Sequence, residues 1–204
     1  MKLFTGFILA IWICTAATLM AEQSSPVAQR LLALKDSLSD ITSISGHFGQ
    51  SKKLDFLNEP VISKGRFHFA RPGYLKWEYT EPAPSGLIIE NNQVQAWTGP
   101  PEAKTKQPEA MAEAARLVAG QVMIWMAMEP EAIMAMYDVS ITNDKPLILK
   151  VVPKRKNARK FIRQLEVEFN PDERTVRRVV LFEPESRTTL TFDKVLLNRP
   201  RPAE

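Results

Sequence analysis

The residue types that most often carry catalysis or bind metals are few in this chain and lie far apart. Its 204 residues include two histidines, His47 and His68, and one cysteine, Cys14. Neither histidine has a partner at zinc-site spacing, and no Asp-x-Asp cluster supports a calcium site. Phosphate-loop, dinucleotide-binding and Gly-x-Ser-x-Gly motifs are also lacking from the sequence. The pattern favours a protein that is not an enzyme and needs no metal or cofactor, although a His, an Asp and a Ser could still meet in space.

The charge of the chain is mild and dispersed. The formal net charge is +4, with Lys and Arg spread over the whole length. This distribution is not that of a nucleic-acid-binding protein. The densest basic stretch is residues 154–160, which we expect in a turn between strands. Most such stretches are solvated loops, and the functional alternative is docking to an acidic partner or to an anionic membrane surface.

The N-terminus has the layout of a secretory signal peptide. Lys2 precedes an apolar stretch at residues 3–14, and small residues lead to a cleavage point near Ala21. A retained membrane anchor is the alternative, but the apolar stretch is short for a bilayer. Ile13 stands where a lipoprotein needs a small residue before Cys14, which argues against lipidation. We therefore expect a signal peptide at residues 1–21 and one soluble periplasmic domain at residues 22–204.

The mature chain begins with one helix, predicted over residues 24–39. Ser25 can cap it, and Pro26 suits the first turn. Its apolar residues recur at spacings of three and four and form one stripe, which is typical of a helix packed on a core. The stripe consists of Val27, Leu31, Leu34 and Leu38.

Hydrophobicity then changes to a period of two, which is typical of antiparallel strands with one apolar and one polar face. His47 and His68 fall on the polar faces. Five strands are expected before a polar loop at residues 99–109, and five more after a helical segment at residues 108–136. The predicted strands are 44–50, 65–69, 75–79, 86–90, 93–98, 137–143, 147–152, 161–170, 175–183 and 187–195. The tail, residues 198–204, is expected to be loose because of its prolines.

The helical segment is unusually rich in methionine. Methionine is flexible and is used where a surface adapts to varied apolar partners. A helix buried against the sheet is the alternative. Glu129-Pro130 should divide the segment into two short pieces, which could form a lid over the sheet. The residues concerned include Met123, Trp125, Met126 and Met128.

Aromatic and aliphatic side chains recur on the apolar faces of the first strands. They could pack into a solid core or line a cavity, and composition does not distinguish the two. These residues are Phe48, Phe67, Phe69, Leu75, Trp77 and Tyr79.

Three motifs follow one another in the first strands. They are Phe48-Gly49-Gln50, the strand that begins Gly65-Arg66-Phe67, and the turn Arg71-Pro72-Gly73 before the strand that contains Trp77. This series resembles the LolA family of periplasmic carriers of outer-membrane lipoproteins. The resemblance continues more weakly through the later elements.

The resemblance implies an α+β fold: a half-open antiparallel β-barrel of ten or eleven strands, with an N-terminal helix and a helical lid. It also implies a carrier that takes acylated lipoproteins from an inner-membrane transporter and delivers them to an outer-membrane receptor. A carrier with one open mouth has no need of symmetry, so we expect a monomer. The cavity wall would be formed by Phe48, Phe67, Phe69, Leu75, Trp77 and Tyr79, and the lid by Met123, Trp125, Met126 and Met128.

Two other functions remain open. The chain could carry another lipid or a lipid-linked product, since the stretch from Val94 to Pro101 departs from the family pattern. It could instead be an envelope-stress sensory module that binds lipidated or unfolded proteins. An envelope enzyme is less favoured, because the strand faces expected to point inward are apolar.

Overall fold

The structure is a computed structural model that describes residues 25–91, 93–100, 105–106, 125 and 128–201. The expected signal peptide, most of the methionine-rich segment, and the lid residues Met123 and Met126 lie outside the described residues. No helix in the described part of the chain is long and apolar enough to cross a membrane.

The first helix forms where the apolar stripe predicts it. Helix α1 spans Pro26–Ser37, with Pro26 in its first turn. The Ser25 side chain accepts a hydrogen bond from the backbone N–H of Ala28 at 3.2 Å, as expected of an N-cap. Leu31 and Leu34 are fully buried, which confirms the packed face.

Two shorter helices follow among the residues that the structure describes. Helix α2 spans Pro130–Met136 and begins directly after the extended residue Glu129, so the predicted break at Glu129-Pro130 is confirmed. Helix α3 spans Lys156–Arg159. We expected only a turn in this basic stretch, and the structure corrects that to one helical turn.

Within the described ranges eleven strands form one antiparallel sheet, and ten of them have six residues or more. The two-residue strand β6 lies in the predicted loop at residues 99–109. The strands are β1 (Ser43–Leu54), β2 (Val61–Ala70), β3 (Tyr74–Glu81), β4 (Ser85–Glu90), β5 (Gln93–Thr98), β6 (Thr105–Lys106), β7 (Tyr137–Asp144), β8 (Leu147–Pro153), β9 (Gln164–Phe169), β10 (Val176–Phe182) and β11 (Ser186–Leu197).

The sheet is open, and the first strand pairs with the last. The strand order is β6-β5-β4-β3-β2-β1-β11-β10-β9-β8-β7, so β6 and β7 are the two edges among the described strands. Strand β1 lies between β2 and β11, with Phe48 opposite Gly65 on one side and Phe192 on the other. The predicted half-open antiparallel fold is confirmed.

One face of the sheet, here called the inner face, carries the core. On the β7–β9 half it packs against α1 and α2, and this core includes Leu31, Ile133, Leu149 and Phe169. On the β1–β5 half a second cluster is centred on three buried side chains, and Ile44 packs against both clusters. Those three are Phe69, Leu75 and Ile89.

Two further segments differ from the sequence prediction. Strand β9 begins at Gln164 instead of residue 161, because Phe161 is 74% exposed and lies outside the sheet. The start of the tail is anchored, although we expected it to be loose. Asn198 accepts hydrogen bonds from Thr42, and Ser43 donates to the carbonyl of Arg199 at 2.6 Å. Residues 202–204 lie outside the described part.

Candidate functional site

The inner face of β1–β5 consists of side-chain rows that cross the strands. One row joins residues that face each other in successive pairs, and it is apolar along its length: Ile44, Phe69, Leu75, Ile89 and Val94. The next row is Gly46, Phe67, Trp77, Leu87 and Ala96. The inner surface of this half is therefore continuous and apolar.

Aromatic rings converge in the middle of this surface. Phe48 stacks on Trp77 with ring centroids 4.1 Å apart, and Tyr79 meets Phe48 edge-on at 5.2 Å. Phe67 lies 5.9 Å from Trp77 and 5.5 Å from Phe192. Such offset and edge-to-face pairs are favourable beyond the area that they bury. We call Phe48, Phe67, Trp77, Tyr79 and Phe192 the aromatic cluster.

The aromatic cluster is not sealed from solvent. Phe48 is 2% exposed and Phe67 is 6% exposed, whereas Trp77, Tyr79 and Phe192 are partly exposed. Burial raises the pKa of the Tyr79 phenol, and its hydroxyl donates a hydrogen bond to Gln50 Oε1 at 2.9 Å. The cluster thus offers an apolar ring surface whose polar group already has a partner.

The wall residues predicted from sequence divide into two groups. Phe48, Phe67, Trp77 and Tyr79 form one contiguous cluster. Phe69 and Leu75 lie beside it on the same face, but they are 1% and 2% exposed and belong to the core. Within the first group Trp77 and Tyr79 are partly exposed, whereas Phe48 and Phe67 are about as buried as Phe69 and Leu75. Trp77 and Tyr79 therefore form the accessible part of the predicted wall, and the buried residues pack around them.

Phe192 was not identified from the sequence. Residues 189–192 alternate threonine with apolar residues, and the sequence predicts a strand over 187–195. Its place beside Phe67 depends on the pairing of β11 with β1, which joins the two ends of the domain. Local periodicity does not reveal such a pairing, and the only available signal was the apolar phase of Leu190 and Phe192.

The two described residues of the predicted lid contact the other half of the inner face. Met128 is 3% exposed and lies in the core that includes α1 and β7–β9, and Trp125 packs against that core. The Trp125 ring lies 5.9 Å from Tyr137. Both residues therefore lie beside the helix-covered half of the sheet.

A charged group lies on strands beyond the aromatic cluster. Lys52 Nζ lies 3.2 Å from Glu183 Oε1, and Ser186 and Thr188 donate to the other carboxylate oxygen. Burial opposes ionisation of Glu183, but these hydrogen bonds and Lys52 outweigh it and lower its pKa below the ordinary value. Glu183 is thus an ionised carboxylate that is paired with Lys52 and hydrogen-bonded, at the edge of the apolar surface.

The outer face of the sheet has a different character. An open trough of about 660 Å³ crosses β11, β1 and β2 there, and its lining includes His47, Lys64, Thr191 and Asp193. Its lining mixes polar and apolar groups and differs from the apolar cavity expected from the sequence. No group of three or more His, Cys, Asp or Glu residues within the described ranges could hold a metal ion.

His68 also lies on the outer face. The sequence predicts a solvated side chain there, but in the structure the side chain is buried. It is 4% exposed and contacts the Tyr74 ring edge-on at 5.9 Å. The Arg201 guanidinium lies 3.9 Å from the Tyr74 centroid. Burial, together with the nearby charge of Arg201, lowers the pKa of His68. The beginning of the tail therefore covers this part of the outer face.

Comparison with solved structures gives the same fold at low identity. The lipoprotein LppX of Mycobacterium tuberculosis is 11% identical with a TM-score of 0.50, covering 89% of this chain and 100% of that chain. MucB is 13% identical with a TM-score of 0.50, covering 89% of this chain and 62% of its own. For the MucA/MucB complex of Pseudomonas aeruginosa the sequence identity is 13% and the TM-score is 0.49, covering 87% of this chain and 59% of that chain. The chain thus spans about three fifths of the MucB chains.

Family assignment rests on the sequence as well as on the fold. No individually curated protein sequence matches the chain significantly. The family model described as "Outer membrane lipoprotein carrier protein LolA" matches residues 39–204, which include all eleven strands. Family members are carrier or binding proteins for lipids or lipoproteins. The match covers well over half of the chain, and the protein therefore belongs to the LolA family.

Proposed function

We propose that this protein is an exported carrier that binds the acyl chains of lipoproteins on its inner face and ferries them from the inner to the outer membrane. The observation that carries the proposal is the aromatic cluster, an apolar surface that is partly open to solvent. The match to the LolA family supports the choice of cargo. An inner-membrane transporter would supply the cargo, and an outer-membrane receptor would accept it.

The physical basis is the transfer of methylene groups out of water. Each buried methylene contributes about 0.8 kcal/mol, so a few acyl chains bind strongly without polar anchors. The rings of Trp77 and Phe192 offer broad faces that suit chains of varied length and unsaturation. The hydrogen bond between Tyr79 and Gln50 occupies the phenol, so this group does not need a polar partner from the ligand.

Ligand capture can be tested on the exported protein purified without detergent. Native mass spectrometry followed by lipid extraction should find a bound lipoprotein or acyl lipid. Trp77→Glu and Leu87→Glu should each reduce the bound fraction at least about tenfold, because they place a charge on the apolar surface. Both side chains are partly exposed, so folding should survive, which circular dichroism would check. Leu196→Glu is the control, because Leu196 is 50% exposed on the outer face.

The position of the ligand can be tested with brominated acyl chains, which quench indole fluorescence on contact. Quenching should be greatly reduced in Trp77→Phe while binding itself is retained. Trp97→Phe is the matched control, because Trp97 lies against Gly86 on the outer face. Equal quenching in Trp77→Phe and wild type would place the ligand elsewhere.

The identity of the extracted ligand separates the alternatives. An acylated protein supports the lipoprotein carrier, whereas a free lipid or lipid-linked product supports a carrier of another cargo. A clean mass that does not change after incubation with lipoproteins and lipids would overturn both, and would favour the sensory module.

A further inference from the structure

The exposed apolar side chains of this protein are concentrated at one end of the sheet. Strands β1, β8 and β10 end there, and β2, β9 and β11 begin there, as the pairing of Leu54 with Ser186 shows. The backbone N–H of Asp55 donates to the carbonyl of Glu185 at 3.1 Å, which joins the β1–β2 connection to the β10–β11 connection. We call this the hairpin end. It comprises residues 52–62, 154–163 and 183–187.

Seven large hydrophobic side chains are exposed in the described part of the chain, and five of them lie at the hairpin end. Phe56 is 75% exposed and Phe161 is 74% exposed, so these two rings project almost freely into solvent. The remaining three are Leu57, Val61 and Ile62. Rings that are this exposed contribute little to packing, and exposed apolar side chains concentrated at one end of a protein mark an interaction surface.

Phe56 and Phe161 can reach the same flat surface. They belong to the connections β1–β2 and β8–β9, and strands β1 and β9 are three spacings apart in the sheet. At about 4.8 Å per strand this separation is about 15 Å. Both connections leave the sheet at the same end, so the two rings can contact one planar partner together.

Basic residues flank Phe161. Residues 153–163 contain six Lys and Arg residues and no acid. Two of the six, Lys154 and Arg159, approach Asp138. The other four are exposed, and no ion pair to them is found within the described ranges. They are Arg155, Lys156, Lys160 and Arg163.

The charge balance of the whole hairpin end remains positive. The carboxylate of Glu183 forms an ion pair with Lys52, so the two charges cancel. Lys53 and Arg187 add two exposed cations on neighbouring strands, which makes six with the four above, against three exposed carboxylates. Those three carboxylates are Asp55, Glu59 and Glu185. Protruding rings on a surface of net positive charge suit a bilayer with negative headgroups. The rings can enter the membrane interface while the cations stay at the headgroups.

We propose that the hairpin end docks the protein on the surface of an anionic phospholipid bilayer, with Phe56 and Phe161 inserted at the headgroup level. This inference goes beyond the carrier function, because it concerns the membrane itself and requires no bound cargo. A carrier that docks in this way would present its inner face beside the bilayer.

Vesicle co-sedimentation of the exported protein tests the proposal without any cargo. Wild-type protein should bind vesicles that contain phosphatidylglycerol at least about tenfold more tightly than vesicles of phosphatidylcholine alone, and added salt should weaken the binding. The triple variant Arg155→Glu, Lys156→Glu, Lys160→Glu should lose at least about tenfold in affinity for the anionic vesicles. The double variant Phe56→Ser, Phe161→Ser should also bind more weakly.

Matched control variants lie at the opposite end of the sheet. Leu196→Ser removes an exposed apolar side chain there, and Lys145→Glu reverses an exposed charge in the β7–β8 turn. Both should bind within about twofold of wild type. All the substituted side chains are exposed, and thermal unfolding would verify that each variant folds.

Three results would overturn the proposal. The first is wild-type protein that binds neither kind of vesicle, and the second is an equal loss in the control variants. The third is binding to native membrane vesicles but not to pure phospholipid, which would indicate a protein receptor. If the wild-type protein binds anionic vesicles but no cargo, the result counts against the carrier function and not against membrane docking.

Discussion

The ring of Phe48 lies directly over Gly65 on the neighbouring strand. A Cβ atom on Gly65 would stand 2.3 Å from Phe48 Cζ and 2.2 Å from the backbone oxygen of Glu78. The missing side chain therefore lets the ring lie flat on the sheet, where it stacks on Trp77. One strand supplies the ring, and its partner supplies the space.

Gly65→Ala should therefore destabilise the fold. Part of the clash is with backbone, which moves less easily than a side chain, so we expect a loss of about 2 kcal/mol or more in the free energy of unfolding. Urea denaturation would measure it. Gly73→Ala is the control, because a Cβ there meets nothing within 4 Å. Equal effects of the two variants would refute the close contact.

Removing the Tyr79 hydroxyl should cost about 0.5 to 1.5 kcal/mol. Tyr79→Phe keeps the ring contact with Phe48 but leaves Gln50 Oε1 without its donor. A double-mutant cycle with Gln50→Ala would measure the coupling between the two residues. A coupling energy near zero would mean that the hydrogen bond does not contribute to stability.

His68 should make the protein less stable in mild acid. Burial, aided by Arg201, lowers its pKa in the folded state, so the unfolded chain binds a proton first as the pH falls. The stability contributed by neutral His68 is complete above about pH 6.5 and declines as the pH falls through the folded-state pKa.

Unfolding of wild type and His68→Gln between about pH 7.5 and about pH 5 checks this prediction. The variant should show a shallower loss of stability. His47→Gln is the control, because His47 is exposed on the outer face. A pH dependence in His68→Gln identical to that of wild type would contradict the assignment.

Asn198 should matter for two separable reasons. Its side chain accepts from the Thr42 backbone N–H at 2.8 Å and donates to the carbonyl of Asp40 at 3.1 Å. Its φ of 56° lies in the left-handed region, which Asn and Gly tolerate better than Ala. Asn198→Ala should cost about 1 to 2 kcal/mol, and Asn198→Gly should cost less because only the hydrogen bonds are lost. Thermal denaturation would rank them, and a Gly variant as unstable as the Ala variant would contradict the role of the backbone.

Local patterns were sufficient for most of the elements and insufficient for their assembly. The period of two placed the strands, and the Leu31–Leu34 spacing placed α1, because each pattern reflects the side-chain direction of one element. Phe161 and Ile162 extended the apolar run before β9, yet Phe161 is exposed. Periodicity reports alternation but does not report what covers a side chain.

The candidate site shows the same division. Phe67 and Trp77 could be identified because they alternate on consecutive strands joined by a short turn. Phe192 reaches the cluster only through the pairing of β1 with β11, and His68 is buried beside a ring that Arg201 covers from the far end of the chain. Both facts depend on contacts between residues more than a hundred positions apart, which no short window of sequence contains.

The β1–β11 pairing also has a consequence for how the chain folds. A strand from the start of the domain lies in mid-sheet beside one from its end, so β1 exposes an unpaired edge until residues 186–197 have emerged from the ribosome or a translocation channel. Contacts that span so much of the sequence form slowly, and open strand edges are prone to aggregate in the interval. The nascent chain would therefore depend on holding chaperones, and truncations that remove β11 would be degraded or insoluble even if every aromatic residue of β1–β3 were retained.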